Sequence, residues 1–156
     1  MKQKWSKIAA LCLVFTLLAG QLAEAATYSA DRSTFFDGKR PNQFQNTSNE
    51  LTIKYANNDF LRAGLIGFSL PQEDYSAVTK ATLRLFLTAV SQVKPPHTVT
   101  QAAIQVFGFD SAWDAATVNW HNKPDFTGEV KAGEASLPEQ VNEWMEVDIT
   151  DYFKAK

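Results

Sequence analysis

Ala81-Thr82-Leu83-Arg84-Leu85-Phe86-Leu87 is the stretch that decides the fold. Ala81, Leu83, Leu85 and Leu87 alternate with Thr82, Arg84 and Phe86. Side chains that return to one face every second residue belong to a β-strand, because a helix of 3.6 residues per turn scatters that pattern around its circumference. One face of this segment therefore enters a core, and the other, carrying Arg84 and Phe86, meets solvent. Leu51-Thr52-Ile53-Lys54-Tyr55 repeats the pattern with its odd positions apolar. So do Met145, Val147 and Ile149, which alternate with Glu146 and Asp148. Residues 65–70 read as a fourth strand with Ile66, Phe68 and Leu70 inward. Residues 103–109 read as a fifth, with Ile104 and Val106 inward and Phe107 outward.

Turn formers separate these runs: Asp37-Gly38, Asn57-Asn58-Asp59, Pro71, Pro95-Pro96, Lys123-Pro124, Gly128 and Gly133. Each has a local reason to bend or stop the chain. No segment reads convincingly as a helix, and the weak helical pattern of residues 74–80 reads better as a connection. Many short strands at near-regular spacing, without helices, make an all-β sandwich or jelly roll. The chain shows no internal repeat, no low-complexity tract and no second domain.

The N-terminus speaks for the compartment. Lys2, Lys4 and Lys7 precede an apolar run over residues 8–19, and Ala23-Glu24-Ala25 leads to Ala26. A basic head, a short apolar stretch and small residues at alternate positions compose a secretory signal peptide, expected to end at Ala25. The run is short of the about 20 apolar residues that a spanning helix needs. No later segment is a better membrane candidate. The single cysteine, Cys12, lies within this segment, so residues 26–156 contain none. Gln21 stands where a lipid-anchor cysteine would follow Leu17-Leu18-Ala19-Gly20. The expected product is a secreted single domain held by its hydrophobic core, without disulfide or lipid.

Composition argues against one class of partner. Of 15 basic and 17 acidic residues, three lysines and one glutamate lie in residues 1–25, which leaves 12 against 16 in the domain. A nucleic-acid partner calls for a clustered basic excess, and the balance here is mildly acidic.

Four stretches carry a family likeness. They are Leu51-Thr52-Ile53-Lys54; Arg62 leading into Leu65-Ile66-Gly67-Phe68-Ser69-Leu70-Pro71; Val78 with Lys80-Ala81-Thr82-Leu83-Arg84-Leu85; and Trp113 with Thr117-Val118-Asn119-Trp120-His121-Asn122-Lys123-Pro124. The last is followed by Trp144 and Val147-Asp148-Ile149-Thr150-Asp151-Tyr152. In order and spacing the chain resembles the DNRLRE domain family, also classed as carbohydrate-binding module family 96, over about residues 30–154. Gly67 and Ser69 depart from the family's usual choices. The resemblance implies a jelly-roll β-sandwich of two antiparallel sheets and a non-catalytic module, often attached to secreted polysaccharide-degrading enzymes. Acidic polysaccharides such as alginate are among the ligands it implies. The chain end at Tyr152-Phe153-Lys154-Ala155-Lys156 falls where the family domain stops, so a stand-alone monomeric module and the leading piece of a larger secreted enzyme are both compatible with it.

The candidate ligand face is Lys54, Arg84 and Phe86, with Arg62 added on weaker grounds because its parity matches Ile66. An aromatic ring packs on the apolar face of a pyranose, and guanidinium or ammonium groups grip carboxylates and hydroxyls. Ordinary cross-strand salt bridges are the competing account of the same charges. Trp144 shares parity with Glu146 and Asp148 and is the tryptophan expected to be accessible. Trp113 and Trp120 read as packing that pins a long loop.

Asp31, Asp37, Asp148 and Asp151 raise a metal question. Jelly-roll binding modules often hold a structural calcium where the terminal strands meet, which makes Asp31 and Asp148 its candidate ligands. No loop has regular calcium-ligand spacing, and solvated surface is the ordinary role of scattered aspartates. His97 and His121 lack zinc-ligand spacing. Asn46-Thr47-Ser48 is formally a glycosylation sequon. No nucleophile elbow, phosphate loop or metalloprotease motif is present, so no catalytic constellation can be assembled. A structural or adhesive surface component with protein partners is the alternative to a polysaccharide binder.

Overall fold

The computed structural model describes residues 25–45, 50–54, 61–90, 102–126 and 128–156. Residues 1–24 of the expected signal segment, Cys12 among them, the sequon at Asn46, Tyr55, the Asn57-Asn58-Asp59 turn, Pro95-Pro96 and His97 lie outside them. Six strands and one short helix occur in the order β1 (Arg32–Asp37), β2 (Arg62–Gly67), β3 (Thr82–Leu87), β4 (Ala103–Gly108), β5 (Val130–Ser136), β6 (Glu143–Asp148) and α1 (Thr150–Lys154). The protein is all-β with antiparallel pairing. The described residues form three two-stranded ladders, β1–β2, β3–β6 and β4–β5, consistent with the β-sandwich expected.

The alternation of residues 81–87 does what its period requires. Leu83 pairs with Val147 and Leu85 with Met145, so the apolar sides of β3 and β6 meet on one face. Met145 and Val147 are buried there. The β4–β5 ladder packs behind this layer through β5, where Gly133 comes up against Val147 and the backbone carbonyl of Asp148. Any side chain at position 133 would collide with that carbonyl, so glycine permits the close approach. The inward and outward reading of Ile104, Val106 and Phe107 also holds in β4.

A second core centre lies under β1 and β2. Phe36, Leu65 and Val118 are buried together, and Ala63, Phe109, Trp113, Trp120 and Phe126 pack against them. Phe36 meets the Trp120 ring edge-on at 5.6 Å and stacks near Phe126 at 6.0 Å. Edge-to-face and offset arrangements at such spacings suit the aromatic quadrupole.

Several expectations are corrected. In β2 the buried positions are Leu65 and Gly67, not Ile66, and the strand ends before Phe68 and Leu70. The cause is pairing with β1, which sets Thr34 opposite Leu65 and Arg32 opposite Gly67, where the Arg32 side chain covers the glycine. Within residues 51–54 the only described strand pairing is one bridge, Lys54 to Arg62, and Ile53 is exposed. Residues 74–80 are a connection, as expected, with an Asp74 turn bonded to the Ser76 amide. The helix α1 was not anticipated. It begins where Asp148 accepts bonds from the Thr150 amide at 2.9 Å and from its hydroxyl at 2.6 Å.

Candidate polysaccharide-binding face

The outward side of the β3–β6 ladder is built from alternate residues of both strands. Register places Arg84 opposite Glu146 and Phe86 opposite Trp144. Phe86 and Trp144 lie with ring centroids 5.2 Å apart at 64°. Arg84 sets its guanidinium over the Trp144 ring, 4.7 Å from the centroid, and directs Nε to Glu146 Oε1 at 3.3 Å. Trp144 remains 56% exposed and Phe86 46%. Water-facing aromatics of this size are costly to leave uncovered, and beside a cation and a carboxylate they form a platform with hydrogen-bonding edges.

Three sequence-expected residues therefore converge: Arg84, Phe86 and Trp144. Lys54 and Arg62 do not join them, because their bridge ties them to the β1–β2 ladder. Arg62 Nε donates to Asp37 Oδ2 at 2.9 Å, and Asp37 is 2% exposed. Asp37 also accepts the Lys39 amide at 2.9 Å, so its carboxylate is engaged in holding the end of β1. Glu146 was missed as a member of the face, although its parity with Trp144 was visible in the sequence.

Trp113 and Trp120 behave as packing. They are half-buried against Phe36, Leu65 and Val118. Arg32 lies over the Trp113 ring and Lys123 over the Trp120 ring. Their loop is locked by its own polar groups. Asn122 Oδ1 accepts the Asn119 amide at 2.6 Å, Asn119 Oδ1 accepts the His121 amide at 2.9 Å, and Asn122 Nδ2 donates to the Thr117 carbonyl at 2.8 Å. The Trp120 amide donates to the Pro41 carbonyl at 3.1 Å and ties the loop to the chain after β1.

Of the aspartates raised for a metal, Asp31, Asp37 and Asp148 have separate partners. Asp31 accepts from the Ser69 hydroxyl and from Arg32. The bonds from Thr150 hold the Asp148 carboxyl below its ordinary range, with a smaller contribution from the charge of Lys80. Among the described residues, no group of three or more His, Cys, Asp or Glu is placed to hold a metal ion. A shallow groove of about 600 Å³ opens beside α1, lined by Thr79, Lys80, Asp148, Thr150, Asp151 and Lys154 among others, none aromatic. No helix among the described residues is long and apolar enough to cross a membrane.

An antiparallel β domain that presents two adjacent exposed aromatics with a cation beside them has the build of a sugar-binding module. The chain matches the sequence model of carbohydrate-binding module family 96 over residues 24–156, nearly its whole length, and it belongs to that family. No match was found among curated proteins. Modules of this class are generally non-catalytic and often extracellular.

Proposed function

We propose that the protein is a secreted, non-catalytic polysaccharide-binding module whose sugar-binding surface is the outward side of β3 and β6. The observation that carries this reading is the exposed Phe86–Trp144 pair with Arg84 stacked on the indole. The rings supply apolar area for pyranose faces, and the guanidinium supplies donors for carboxylates and hydroxyls. Arg84 favours acidic glycans such as alginate. The three ladders are read as parts of one jelly-roll sandwich, and the basic, apolar and small-residue segments of residues 1–25 as an export signal. The module acts by holding an attached or partner enzyme on its substrate. Lys54 and Arg62, on the other ladder, support the fold in this reading rather than the ligand, and calcium is left to Asp31 and Asp148 as a clip that chelation would reveal.

Affinity electrophoresis of residues 26–156 tests the proposal, with alginate or a neutral glucan cast in the gel. Retardation in alginate that weakens with added salt is expected, because the charged part of the contact is screened. Migration indifferent to every polysaccharide would refute it.

A further inference from the structure

On the proposed sugar face, Arg84 is not alone with its ligand. Its described contacts are the Trp144 ring and Glu146, which it approaches through Nε. The Arg84 side chain is 56% exposed, so a ligand in solution can reach its guanidinium. A carboxylate arriving from solution meets there the charge and the paired donors by which arginine binds carboxylates. It then arrives beside the Glu146 carboxylate, which already lies against the same cation.

We infer that Glu146 is a specificity-determining residue of this face: its charge offsets that of Arg84 and weakens binding of polyuronates relative to neutral glycans. This rests on the reading of the β3–β6 face as the sugar site. The two carboxylates share one guanidinium, so their repulsion is felt only when the sugar is itself acidic. A neutral sugar meets Glu146 as a hydrogen-bond acceptor for hydroxyls and incurs no such cost. Glu146 and Arg84 are both more than half exposed, so the pair itself is worth little to folding. Cross-strand register fixes the relationship: Arg84 and Glu146 are direct partners, and their side chains leave the ladder on the same side.

The experiment is a titration of alginate and of a neutral 1,4-linked glucan against wild type, Glu146→Gln, Arg84→Ala and Trp144→Ala. Glutamine keeps the size and acceptor of Glu146 while removing its charge. Glu146→Gln is expected to raise alginate affinity about fivefold at low ionic strength, to leave glucan affinity unchanged, and to lose that gain as salt is added. Arg84→Ala is expected to lower alginate affinity selectively. An unchanged alginate-to-glucan ratio in Glu146→Gln, with Trp144→Ala abolishing binding, overturns the role of Glu146 and spares the site. A fall in alginate affinity in Glu146→Gln also overturns it, because Glu146 would then serve to hold Arg84 on the indole. Full binding by Trp144→Ala overturns the site, and the inference with it.

Discussion

Phe86 and Trp144 are direct cross-strand partners, and their rings meet edge to face at 5.2 Å on the solvent side of β3 and β6. A cross-strand aromatic pair usually contributes by covering a core. Here the core lies on the opposite side, under Leu83, Leu85, Met145 and Val147. The exposed pair is therefore free to serve a ligand. Trp144→Ala is expected to reduce polysaccharide affinity by about tenfold or more, corresponding to ~1.4 kcal/mol. Its melting temperature should stay within a few degrees of wild type, since the indole is largely in water. Calorimetric titration and thermal unfolding of the same sample read both quantities.

Arg62→Ala should act on stability instead. It strips the guanidinium partner from a buried Asp37 carboxylate, leaving only the Lys39 amide among the described bonds. Removing one member of a pair costs more than the pair is worth, because the remaining charge stays desolvated. Arg62 is partly exposed, so we expect about 2 kcal/mol, a fall of about 6–10 °C in melting temperature. Glycan affinity measured well below that temperature should be unchanged.

Gly133→Ala tests the packing of β5 against β6. The added methyl would meet the Asp148 carbonyl and the Val147 side chain. Overpacking of this kind costs about 1–3 kcal/mol, visible as a shifted midpoint in urea. Gly128→Ala is a useful contrast. It has open space but a positive φ of 88°, so its penalty is one of backbone strain and not of collision.

Acid should loosen the β6-to-α1 junction. Hydrogen bonds from Thr150 lower the Asp148 pKa from its ordinary 3.8. A carboxyl depressed in the folded state contributes stability that is present above its unfolded pKa and is lost as pH falls through the lower folded value. Amide exchange at Thr150 should therefore rise as pH is lowered below 3.8, beyond the intrinsic trend. Asp148→Asn should remove that acid step while retaining an acceptor for Thr150.

The strands that were legible in the sequence are those with one wet face. Alternation in residues 81–87 and 145–149 reports a core on one side and solvent on the other. The structure bears out both sides as far as Asp148, where β6 ends and Ile149 caps α1. β1 escaped because Thr34, Phe35, Phe36 and Asp37 are buried in succession, which leaves no period to read. β5 escaped because its run contains Ala132, Gly133 and Ala135, which signal little, and because the register shifts at Val106/Phe107 of its partner. Parity also explains the mixed outcome at the site. It tells which side of a strand Arg84, Phe86 and Trp144 occupy, but not which strands are neighbours. Lys54 was grouped with them on parity and Arg62 was added despite its parity with Ile66; both lie on another ladder. Asp37 looked like a turn or metal aspartate, since nothing local foretells its long-range bond to Arg62 across 25 residues.

The central claim is that sugar lands on the Trp144 side of the β3–β6 ladder, and indole NMR tests it most directly. Uniformly 15N-labelled protein is titrated with alginate oligosaccharides while the tryptophan Nε1–H signals are followed. The account predicts that the Trp144 signal and the amides of Arg84, Phe86 and Glu146 move together and saturably, while those of Trp113 and Trp120 stay in place. Shifts confined to the Trp113–Trp120 loop or to the β4–β5 ladder, with Trp144 unmoved at saturation, would contradict it.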